Sequence, residues 1–157
     1  MRKYKIYLDT STISCLDQTE SPERKQDSEN LWKIFEAGTA YEVIVSDLTL
    51  VELQRCDSTK REFFESKLNN INATFISASD EVMELAELYR EQGVLSSKSI
   101  DDLRHIAYAI VHGCDYIVSW NFKHFVNIKT INAVNGINRL YGYRTIEIVS
   151  PNMLLEQ

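Results

Sequence analysis

Lys5-Ile-Tyr-Leu-Asp-Thr-Ser-Thr12 is the stretch whose reading decides the fold. Tyr4 to Leu8 is a short apolar run that reads as a strand, and it stops on an acid followed by three hydroxyl residues. Open α/β sheets collect ligands in the crevice beyond the carboxyl ends of their strands. Asp9 therefore stands where such a fold puts its chemistry. Taken alone, it reads equally well as a turn-forming Asp after a strand.

Working outward, strands and helices alternate. Ser21 can cap and Pro22 suits the first position of a helix with Leu31, Ile34 and Phe35 on its apolar face, ended by Gly38. Tyr41 to Ser46 is the second strand, and Asp47 to Cys56 a helix carrying Glu52. Lys60 to Asn69 is a helix, Ala73 to Ser77 the third strand, and Ser79 to Gln92 a capped helix. After a Ser-rich loop, Leu95 to Ser99, the residues Leu103, Ile106, Ala107 and Ile110 mark a helix over Asp101 to His112. Tyr116 to Ser119 is the fourth strand, Ala133 to Tyr141 a short helix weakened by Gly136, and Thr145 to Val149 the fifth strand. This alternation predicts a parallel sheet covered on both faces, in a single domain over residues 1–157.

Bulk composition sets the class. The 157 residues are 44% hydrophobic and 25% charged, as expected of a globular protein able to bury a sizeable core. Cys15, Cys56 and Cys114 have no paired spacing, which points to reduced thiols and away from disulfides or zinc. No apolar run reaches the ~18 residues of a membrane span, and none resembles a signal peptide. The expected location is the cytoplasm, with no membrane association. A net charge of −6 disfavours indiscriminate nucleic-acid binding. The charge is uneven, however. Residues 116–146 contain no acid, and Lys123, Lys129, Arg139 and Arg144 give them +4, leaving −10 elsewhere. Scattered solvated side chains account for this as simply as a surface that guides a phosphodiester.

Three acids on separate α/β loops, Asp9, Glu52 and Asp102, suggest a metal site acting on phosphate esters. Thr10 and Ser11 supply hydroxyls to orient Asp9 or meet substrate. Glu52 has a competing explanation, because Thr49 and Glu52 have capping-box spacing. Ser99 and Asp102 share that spacing, and acids in a first helical turn suit the helix dipole. Two adjacent acids, Asp101 and Asp102, exceed what one cap and one dipole contact require. His105, three residues beyond Asp102, reads as a proton relay, a hydrogen-bond partner of Asp102, or a structural histidine.

These residues together resemble the PIN-domain nucleases, the fold of many toxin ribonucleases of bacterial toxin–antitoxin pairs. The resemblance rests on Tyr7-Leu-Asp-Thr-Ser11, on Val51-Glu52-Leu53 after the second strand, and on Asp102-Leu-Arg-His-Ile-Ala107. It also includes Ile117-Val-Ser-Trp-Asn121 followed by Phe125, and the ending from Ile131-Asn-Ala-Val-Asn135 to Gly142-Tyr143. It implies an α/β/α sandwich with strand order 3-2-1-4-5 and with Asp9, Glu52 and Asp102 converging at the carboxyl edge. It further implies one or two Mg²⁺ or Mn²⁺ ions, an RNA substrate, a homodimer and a small antitoxin partner. In that setting Asp9 and Asp102 bind the principal ion, and Glu52 binds through water or accepts a proton. Asn121 and Ser119 position water or phosphate, and Lys123 and Arg144 contact the RNA backbone. Many members carry an acid soon after the fourth strand. Here Ser119, Asn121 and His124 occupy that segment, so an inactive binding module is the alternative. An aspartyl-phosphate enzyme would need a second Asp where Ser11 stands, and a dinucleotide-binding protein would need a glycine-rich first turn.

Overall fold

The computed structural model describes residues 2–95 and 100–155. Five strands, β1 (Tyr4–Leu8), β2 (Tyr41–Ser46), β3 (Thr74–Ile76), β4 (Tyr116–Val118) and β5 (Glu147–Val149), form one parallel sheet in the order β3-β2-β1-β4-β5. The order runs outward from β1 in both directions, so β1 and β4 flank the switch point at which α/β sheets open a crevice.

Side chains alternate along each strand, and the two faces of the sheet fill two cores. Tyr7, Ile44, Ile117 and Ile148 face one side. There they meet Val82, Leu85 and Tyr89 of α5 (Asp80–Glu91), Leu103 and Ile106 of α6 (Ile100–Val111), and Val134 of α7 (Ile128–Leu140). Ile6, Leu8, Val43, Val45, Val118 and Val149 face the other. They pack on Leu31, Trp32 and Phe35 of α2 (Pro22–Ala37) and on Phe64 and Leu68 of α4 (Ser58–Asn69). Burial on both faces is why the strands read as nearly continuous apolar runs.

Local chemistry sets the helix ends. Gly38 stops α2 in the left-handed region (φ 72°), and Ser79 caps α5 by accepting from the Val82 N–H at 3.2 Å. Strands β3, β4 and β5 are one or two residues shorter than expected at one or both ends, α4 starts two residues earlier, and three further differences have a local cause. Helix α7 begins at Ile128, five residues early, because the Asn127 side chain caps it through the Thr130 N–H (2.9 Å); Gly136 is tolerated inside. Asp9 opens an extra one-turn helix, α1 (Thr10–Ser14), extended by a 3₁₀ turn over Cys15–Asp17. Helix α3 (Asp47–Leu53) is shorter than expected and is capped by Ser46, so the Thr49–Glu52 capping box does not form. The Ser99 cap expected for α6 lies outside the described residues. No described helix is long and apolar enough to cross a membrane.

Candidate functional site

The predicted acids come from the carboxyl end of β1 (Asp9), from α3 after β2 (Glu52) and from the first turn of α6 (Asp102), each held by a bond to another element. Asp9 is only 4% exposed. Its Oδ1 accepts from Ser11 Oγ (2.7 Å), Thr12 N (3.2 Å) and Thr12 Oγ1 (3.1 Å), and its Oδ2 accepts from Ser119 Oγ (2.7 Å), just past β4. Asp9 is thus at once the N-cap of α1 and the bolt between β1 and β4. Burial pushes its carboxyl up, against the opposing pull of Ser119, His105, Ser11 and Thr12.

From Ser119 the bonds run on around the crevice. Ser119 Oγ accepts from the Asn121 N–H (2.9 Å), and Asn121 Oδ1 accepts from the His124 N–H (2.9 Å). His124 Nδ1 meets Asp102 Oδ2 at 2.5 Å, tying the loop after β4 to the first turn of α6. One turn along α6, His105 turns away from Asp102. Its Nε2 donates to Glu52 Oε1 at 2.5 Å, and its Nδ1 meets the Tyr7 hydroxyl at 2.5 Å. That hydroxyl in turn pairs with Ser46 Oγ at 2.7 Å. A carboxylate only accepts, so Nε2 carries a proton in this arrangement. His105 is 2% exposed and is held edge-on to Tyr7 and Phe125. Of the three readings of His105, a bond to Asp102 does not form; two histidine–carboxylate pairs stand instead, His105 with Glu52 and His124 with Asp102. Burial works to raise the Glu52 carboxyl, but the hydrogen bond and charge of His105 outweigh it and leave the group below its ordinary value. Thr10 Oγ1 lies close enough to lower Glu52 further yet falls short of hydrogen-bond geometry, and it is a buried hydroxyl without a partner.

Other predicted residues lie apart from this ring. Asp101 pairs with Arg104 at 3.1 Å on the outer side of α6. Lys123 is exposed on the loop after β4. Arg144 sits at the opposite, amino end of the sheet, 3.2 Å from Asp115, which also binds Arg2 and the Lys5 N–H. Parallel strands separate the two ends, so Arg144 cannot share a phosphodiester with Asp9. Tyr7, Thr12, Ser46 and His124 were missed as site residues. Thr12 was recoverable from its Asp-x-x-Thr capping spacing. Tyr7 carried no signal, because an apolar strand position looks the same whether or not its hydroxyl finds a partner.

Among the described residues, no group of three His, Cys, Asp or Glu side chains is arranged as a ready metal cage. The donor set nonetheless suits a hard divalent ion in kind. Asp9 Oδ2 takes one donor, while Glu52 Oε2 and Asp102 Oδ1 take none among the described residues, and the orphaned Thr10 hydroxyl adds an oxygen beside them.

No family model matches the chain, and no curated protein sequence matches it. Solved structures do. One is VapC20 of Mycobacterium tuberculosis, a Sarcin-Ricin loop cleaving toxin, with a TM-score of 0.59 at 17% identity over 76% of this chain and 92% of that one. Another is VapBC2 from Rickettsia felis, bound to a DNA fragment from their promoter, with a TM-score of 0.57 at 16% identity over 93% of this chain and 98% of that one. The five parallel strands in the order 3-2-1-4-5, flanked by helices on both faces, match these neighbours, and the chain has the PIN-domain α/β/α fold.

Proposed function

We propose that this protein is a metal-dependent endoribonuclease that hydrolyses RNA phosphodiester bonds and acts as the toxin of a toxin–antitoxin pair. The observation that carries this reading is the placement of Asp9, Glu52 and Asp102 at one sheet edge, each with an oxygen left able to accept. Asp9 and Asp102, with Glu52, would hold Mg²⁺ or Mn²⁺. When bound, such an ion offsets the negative charge of the phosphodiester and activates water. The chain's own residues do the rest. Ser119 fixes Asp9 and, through the Asn121 N–H, the loop that follows. His105 holds Glu52 by Oε1, leaving Oε2 to accept the proton of the attacking water. Asn121 commits its Oδ1 to His124 and keeps its Nδ2 for a phosphate oxygen. Lys123 adds positive charge on the same loop. Homodimerisation and a small protein antitoxin belong to the same reading.

Asp9→Asn should abolish RNA cleavage while the protein remains folded. Cleavage at the wild-type rate by purified variant, with contaminating nuclease excluded, would sink the assignment. A second reading, a PIN-fold binding module without catalysis, is favoured by the occupied lone pairs of Asp9 and by the histidines already paired with Glu52 and Asp102. Calorimetry separates the two readings, since the module alone would bind neither Mg²⁺ nor Mn²⁺.

A further inference from the structure

Phe122 lies three residues beyond Ser119 and next to Asn121, and it is 42% exposed. A single exposed aromatic is ordinary, but this one is built in. Its N–H donates to Trp120 O (3.1 Å), and its carbonyl accepts from Asn127 Nδ2 (2.9 Å), so the loop presents the ring on a pinned backbone. Beneath it, Trp120 is buried and donates from Nε1 to Ser28 Oγ of α2 at 2.8 Å, with its ring 6.2 Å from that of Phe122. Arg24, also on α2, completes the group. Its guanidinium lies 5.2 Å from the Phe122 ring centre and 5.4 Å from that of Trp120. Arg24 is exposed and makes no hydrogen bond or ion pair among the described residues, in a chain where 23 acids outnumber 17 lysines and arginines. An arginine left over an aromatic face in so acidic a protein keeps its five donors for an external anion.

We propose that Arg24 and Phe122 form a stacking subsite for an unpaired RNA base beside the acid cluster, with the Arg24 guanidinium meeting the adjoining phosphate. This rests on the ribonuclease reading and adds two residues, one on α2 and one on the loop after β4, that meet the substrate. Single-stranded RNA is held by stacking of its bases on aromatic rings and arginine planes, which a base kept inside a duplex cannot offer. The subsite therefore selects single-stranded or looped RNA.

The test is fluorescence anisotropy with a labelled single-stranded oligoadenylate of about ten nucleotides, within the usual footprint of single-strand binding surfaces. EDTA is present, so that binding is read without cleavage. Phe122→Ala and Phe122→Leu should each weaken binding roughly 5- to 150-fold, the range for losing one stacked base. Phe122→Trp should retain it, and Arg24→Lys should weaken it although the charge is kept. Leucine preserves apolar bulk, so a role in loop packing alone would leave the Leu variant near wild type, and that result overturns the subsite. Equal weakening by Trp and Leu, or equal competition by duplex RNA of the same length, also overturns it. Wild-type protein that binds no oligoadenylate overturns the subsite, while the ribonuclease reading falls only if no RNA is cleaved with Mg²⁺ or Mn²⁺ present. Wild-type binding that Phe122 variants leave unchanged refutes only the subsite.

Discussion

Replacing Ser119 with alanine tests how the buried Asp9 carboxyl is held. Ser119 Oγ is the sole donor to Asp9 Oδ2 among the described residues, at 2.7 Å, and it also accepts from the Asn121 N–H at 2.9 Å. A hydrogen bond to a charged group contributes about 1.5–3 kcal/mol, and stranding a partly buried N–H adds about 1 kcal/mol. With Asp9 ionised, Ser119→Ala should therefore cost roughly 2–4 kcal/mol, or about 5–15 °C in Tm for a domain of this size. With Asp9 neutral, the same bond is worth about 1 kcal/mol and the penalty should fall by about half. Burial raises the Asp9 carboxyl above its ordinary 3.8, so the native state binds that proton more tightly than the unfolded chain does. Asp9 thus draws stability down as pH rises from 3.8 through its folded value, and the cost is complete above it. The Ser119→Ala penalty should grow over the same window. Urea unfolding at several pH values from 3.8 upward, in wild-type and Asp9→Asn backgrounds, reads both effects, with a coupling of about 1 kcal/mol or more expected for groups in contact. A penalty that ignores pH and is equally large in the Asp9→Asn background would refute the account.

Three further outcomes can be checked. Burial works to raise Glu52, but His105, with Thr10 and Arg55, holds it below its ordinary 4.5, so its contribution is present above 4.5 and lost as pH falls through the lower folded value. Glu52→Gln should flatten the acid limb of the stability curve, and an unchanged limb would show that the His105–Glu52 pair is not the cause. Added Mn²⁺ should raise the thermal midpoint of the wild type by roughly 5–10 °C at a hundred times its Kd, which corresponds to about 2.7 kcal/mol. Asp9→Asn and Asp102→Asn should each abolish that shift, and its absence in the wild type would favour the binding module. Finally, Asn135 clamps the approach to edge strand β5 by donating Nδ2 to Ile146 O (2.9 Å) and accepting from the Ile146 N–H at Oδ1 (2.8 Å). Asn135→Ala strands both backbone groups, and chemical denaturation should show a loss of about 2–4 kcal/mol. A loss under about 0.5 kcal/mol, the range of ordinary surface changes, would refute the clamp.

Much of the architecture was legible because it depends on short-range rules. β1 and β2 ended where expected, since apolar strands buried on both faces stand out from polar flanks. Helix α2 declared itself through Pro22 in its first turn, although the Ser21 side chain makes no capping bond, and α5 through the Ser79 cap. The one-turn helix after Asp9 was not legible, because five residues carry no period. The start of α7 was passed over because its β-branched residues mask the Asn127 cap.

For the site, the sequence selected Asp9, Glu52 and Asp102 by residue type, and the family resemblance implied that they meet at the carboxyl edge. It could not say which side chain each acid would meet. Asp102 and His105 are near neighbours on one helix, and a bond between them was one of three readings of the histidine. Packing chose otherwise. The Tyr7 hydroxyl, placed by the alternation of β1, draws His105 inward toward Glu52, and the loop after β4 brings His124 to Asp102. Arg144 shows the same limit, since its charge was visible in the sequence but its place at the far end of the sheet was not. Residue type and local order are written along the chain. Partner choice among buried polar groups is decided only when strands and helices from distant positions close on one another, because each buried donor and acceptor must then find its mate among whatever lies within ~3 Å.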